Sequence, residues 1–84
     1  MDNKYWIDLW ISDKRSTLAT MCNNLAADLL AGYNPAGNII RRQIEDISAY
    51  RRDVEREADR LNLIDAGEAG KWCRADLKRR GAIA

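Results

Sequence analysis

The feature that most constrains this chain is a seven-residue recurrence of apolar side chains, interrupted once by a turn. Ile40, Ile47, Val54 and Leu61 repeat at that spacing, as do Ile11, Leu18 and Leu25, and also Cys22 and Leu29. Seven residues make nearly two turns of α-helix, so each series stays on one side of its helix. Between the two series lies Gly32-Tyr33-Asn34-Pro35-Ala36-Gly37. Gly32 is placed to adopt the left-handed cap that ends a helix, and Pro35 cannot continue one without losing a hydrogen bond. Asn38 follows where a side-chain oxygen caps the next helix. The pattern predicts an antiparallel hairpin, with helices at about 13–31 and 39–61. Leu18, Cys22, Leu25 and Leu29 are expected to form the first seam, widened by Met21 and Ala26. Ile44 and Ala58 are expected to extend the second, where Arg51 interrupts it. Arg51 is expected either to snorkel to the edge or to pair with Asp28 or Asp13 across the seam.

After a break at Asn62–Ala66, Asp65 and Glu68 have capping-box spacing, and a third helix is predicted over about 66–80. Ala69, Trp72, Cys73 and Leu77 form its apolar face, and Gly81 is its expected C-terminal cap. The first twelve residues read two ways. Alternation groups Tyr5, Ile7, Leu9 and Ile11 as in a strand, whereas helical spacing groups Trp6 with Trp10 and Ile7 with Ile11. With no second strand-like segment in the chain, helix is favoured unless the segment pairs with a copy of itself. Ser12 is a position where the first helix could be bent or split. The reading is thus an all-α single domain over residues 1–84.

The composition has no histidine, which removes the commonest general base and metal ligand. The two cysteines, Cys22 and Cys73, lie at apolar helical positions and read as buried thiols. A disulfide between them would need an oxidising compartment, and the first residues do not read as a signal peptide. The expected location is therefore the cytoplasm, and no apolar run is long enough to span a membrane. Ser12, Ser16 and Ser48 have no histidine to activate them. Asp46, Asp53 and Glu57 lie on a mixed-charge face where nothing raises a carboxyl pKa. No catalytic residue, metal site or cofactor is expected.

Charges nearly balance, at 14 basic and 13 acidic residues, so attraction to nucleic acid would have to come from a local patch. The outer face of the second helix mixes signs, with pairs such as Arg41–Glu45 and Arg51–Glu55, and reads as solvated. Two patches stand out. Tyr5, Trp6 and Trp10 crowd the N-terminus and are either partner-binding anchors, most simply in a homodimer or against another protein, or core residues capping the hairpin. Lys71, Arg74, Lys78, Arg79 and Arg80 form a basic run that either tracks nucleic-acid phosphates or complements the helix dipole.

The segments Cys22-Asn23-Asn24-Leu25-Ala26-Ala27, Gly32–Gly37 and Lys71-Trp72-Cys73-Arg74-Ala75-Asp76-Leu77-Lys78-Arg79-Arg80-Gly81-Ala82-Ile83 resemble a loose group of short helical proteins of bacteriophages and bacterial mobile elements. The resemblance runs from about Cys22 to the end of the chain and brings no chemistry with it. It implies a protein that works by binding, for example an inhibitor of a host defence system such as an anti-CRISPR. The expected function is a non-catalytic helical protein-binding module. The alternative is a nucleic-acid-binding accessory protein that uses the basic C-terminal helix.

Overall fold

A computed structural model describes residues 3–84. Among the described residues the chain is all-helical, with α1 at Asn3–Leu30, α2 at Asn38–Leu63 and α3 at Ala66–Arg79. None of these helices is long and apolar enough to cross a membrane. α1 is central and packs against both α2 and α3. α2 returns antiparallel to it, so that Gln43 meets Asp28 near the turn. α3 runs parallel to α1: Gly70 lies against Asn3, Asp76 against Trp10, and Arg80 near Asp13.

The two readings of the N-terminal segment resolve to helix. α1 passes through Ser12 without a break. Helical spacing places Trp10 and Lys14 four residues apart on one face, and both donate to the same carboxylate of Asp76. In a strand the two positions would lie about 13 Å apart, too far to share one carboxylate so readily.

Both expected glycine caps form. Gly32 and Gly81 are the positive-φ residues, at 97° and 77°. Each closes its helix with paired reverse bonds: Tyr33 N–H to Asp28 O and Gly32 N–H to Leu29 O, then Ala82 N–H to Leu77 O and Gly81 N–H to Lys78 O. Asp65 caps α3 through the Gly67 amide at 2.8 Å. Asn38 does not cap α2. It is the first helical residue, and Gly37 occupies the cap without a side-chain bond. The side chain that shapes this turn is Asn34, which accepts from the Ala36 amide at 3.0 Å.

Most of the predicted seam is covered: Leu18 and Leu25 on α1 and Ile47, Val54, Ala58 and Leu61 on α2 are half-buried, and Ile40 is buried. Part of it is not. Cys22 is exposed, and Leu29 and Ile44 are 40% and 48% exposed. Arg51 points to solvent and pairs with Glu55 on its own helix at 3.2 Å. Met21 and Asp28 on α1, and Gln43 and Tyr50 on α2, are half-buried beside these positions. A heptad stripe has neighbours three and four residues away, and either can face the partner helix. α3 covers the side of α1 that carries Trp10 and Lys14, and Lys14, Met21 and Asp28 continue that side at seven-residue spacing.

The molecule is elongated, at 47 × 25 × 16 Å. Its radius of gyration is 15.7 Å, against about 12 Å for a compact chain of this length. The cause is the short third helix. Trp10, Cys73 and Leu77 form the core at one end, with Val54, Ala58, Leu61 and Trp72 packed around them. The other end is a two-helix hairpin in which Ile40 is the one fully buried residue among those described.

Candidate functional site

The densest chemistry of the molecule lies in the three-helix end. Asp76 is 4% exposed and Lys14 2%. The Asp76 carboxylate accepts from the Trp10 indole N–H at 3.0 Å and from Lys14 Nζ at 2.8 Å. Both reach Oδ2, from which Arg80 Nε lies 3.4 Å, while Oδ1 accepts from Arg79. Burial alone would push this carboxyl up. The hydrogen bonds from Lys14 and Arg79, with the charges of Lys14 and Arg80, outweigh burial and hold it below the usual carboxylate range. The donors come from α1 and from the end of α3, so the cluster pins the third helix to the first. Beside it, burial pushes the Cys73 thiol up to about 11, an effect that the Asp76 charge reinforces. Cys73 is therefore a protonated core residue rather than a nucleophile.

This cluster uses up several residues that the sequence offered for binding. Trp10 is 1% exposed and serves as core and as a donor to Asp76, so it is not a surface anchor. Trp6 is half-buried beneath the Arg74 guanidinium, 5.6 Å from its ring centroid. Tyr5 stands edge-on to Trp6 and is half-exposed. Of the basic run, Arg79 and Arg80 turn back to Asp76. Lys71, Arg74 and Lys78 remain exposed on the outer face of α3. In the sequence Asp76 reads only as a dilution of the basic run, because nothing local shows that it faces a lysine 62 positions away.

The surface left without a covering element is the outer half of the hairpin. Beyond the end of α3, a groove of about 430 Å³ opens between α1 and α2. It is lined by Met21, Asn24, Ala27 and Asp28 on one side and by Gln43, Asp46 and Ile47 on the other. Gln43 donates to Asp28 at 2.6 Å across its floor. From Ser16 to Ala27 the chain carries no charge, although charged residues make up 32% of the whole. At the tip, Leu30 is 90% exposed, Ile39 58% and Tyr33 45%. Interface centres are depleted of charge and rich in large apolar groups in this way. Asp46 lines the groove, whereas Asp53 pairs with Arg56 in solvent at 3.8 Å. Comparison with protein-family models, curated proteins and solved structures gave no match.

Proposed function

We propose that this chain is a non-catalytic helical module that binds a protein partner through the outer half of its hairpin. The observation that carries the reading is the exposed apolar tip, Leu30, Ile39 and Tyr33, next to an uncovered groove between two helices. The buried charged cluster around Asp76 is occupied in holding α1 and α3 together, which leaves the outer half of the hairpin as the open surface. Inhibition of a host defence system is one form of such binding, and it rests on the resemblance to small phage and mobile-element proteins alone. The nucleic-acid reading is weaker, because Arg79 and Arg80 are engaged by Asp76 and Arg74 by Trp6.

Parallel affinity capture with the wild-type chain and with Leu30→Asp/Tyr33→Asp as baits tests the proposal. Both positions are exposed, so the variant is expected to fold. A protein retained by the wild type and lost from the variant is the expected result. Identical captured sets on both baits would overturn it, as would duplex DNA binding that weakens steeply with salt.

A further inference from the structure

α3 leaves half of its own lane empty. Its 14 residues span about 21 Å, against about 42 Å for the 28 residues of α1. In the covered half, Ala69, Cys73, Asp76 and Leu77 of α3 fill the space beside α1. In the other half the same lane continues as the groove over Asn24 and Ala27. The molecule is therefore stepped: a ridge formed by α3 stands on one half of a face, and a hollow of similar length lies on the other.

We infer that a second copy of this chain fills the hollow. Two chains pair antiparallel about a two-fold axis, and each α3 rests on the open half of the other's hairpin. The inference rests on the reading of the chain as a protein-binding module and names the partner as a second copy. Three observations point to it. The ridge and the hollow match in length, so a stepped face laid on itself head to tail closes both gaps at once, as an isologous contact requires. The charges match too. The outer face of α3 carries Lys71 and Lys78, seven residues apart and exposed, while the hollow carries Asp28 and Asp46. Between these bases sits Ala75, also exposed, whose small side chain lets the ridge approach closely. The size also suffices. A face about 42 Å long and two helices wide presents about 800 Å², which is what one partner contributes to a standard stable interface.

Sedimentation equilibrium at rising protein concentration tests the inference on three chains besides the wild type. One carries Asp46→Lys, one carries Lys71→Glu with Lys78→Glu, and one combines all three changes. Asp28 is left intact because it holds Gln43 within the chain. All the altered side chains are exposed, and circular dichroism checks that each variant is helical. The wild type is expected to dimerise, and more weakly as salt is raised. Each separate reversal is expected to raise the dimer dissociation constant by about tenfold or more, and the combined chain to recover most of that loss. A wild type that stays monomeric at high concentration overturns the second-copy assignment. So does a dimer indifferent to the reversals, or one that the combined chain fails to restore. None of these outcomes touches the capture experiment on Leu30 and Tyr33, so failure of the dimer and failure of the binding module are told apart.

Discussion

The three-helix base and the two-helix outer half are built from the same pair of helices, yet they hold together differently. In the base, Trp10, Cys73 and Leu77 lose nearly all their exposure, and a buried carboxylate gathers donors from α1 and α3. In the outer half the helices touch along one seam, and Leu29, Ile44 and Leu30 stay substantially in water. A two-helix contact encloses few apolar side chains, here Ile40, whereas a third helix closes the remaining side. The difference teaches what a third helix adds: the base buries more of its apolar surface, and the outer half keeps apolar surface exposed.

The largest expected effect breaks the base. Asp76→Ala leaves Lys14 charged and buried without its partner, and loss of one member of a buried pair costs about 3–5 kcal/mol. For a domain this small that is a large share of the total. Urea unfolding followed by circular dichroism is expected to show the transition moved to much lower denaturant or lost. The same residue sets a pH dependence. Its folded-state pKa is depressed, so its contribution is fully present above the unfolded carboxyl value of about 3.9 and is lost as pH falls through the lower folded value. Asp76→Asn is expected to flatten the acid limb of stability below about pH 4. An unchanged acid limb would show that other carboxylates control it.

A paired truncation compares the two regions directly. Leu77 is 0% exposed, and Leu77→Ala is expected to cost about 2–5 kcal/mol. Leu29 is 40% exposed, and Leu29→Ala is expected to cost less than about 1 kcal/mol in the monomer. Equal costs would contradict the division into a braced base and an open hairpin. Amide exchange sharpens the comparison without mutation. Amides of α3 and of the α1 segment around Trp10 are expected to exchange only on global unfolding, and those flanking the Gly32–Gly37 turn faster by local opening. The smallest effect concerns the thiols. Cys22 is exposed and Cys73 buried, so a thiol reagent is expected to label Cys22 promptly in the native protein and Cys73 only at the rate of unfolding.

Much of this was legible in the residues. The heptad recurrence, the Gly32 and Gly81 caps and the Asp65 cap follow from local rules, since each involves groups a few positions apart. The acids and bases on the outer face of α2 also read correctly as a solvated surface, and Arg51 and Glu55 pair there. The candidate sites were harder to read. Trp10 was one of two kinds of residue, anchor or core, until a lysine and an aspartate from opposite ends of the chain were brought beside it.

By itself, then, the sequence determined three helices, where they stop, and the apolar stripe each one carries, because periodicity and capping are properties of short segments. The tertiary structure alone decided which edge of the α1 stripe is covered along with its centre. The position of α3 favours the edge that carries Lys14, Met21 and Asp28, beside the half-buried Leu18 and Leu25. It thereby left Cys22, Leu29 and Ile44 outside and the lane over Asn24 and Ala27 open. That choice depends on contacts between residues far apart in the chain, and no local pattern encodes it.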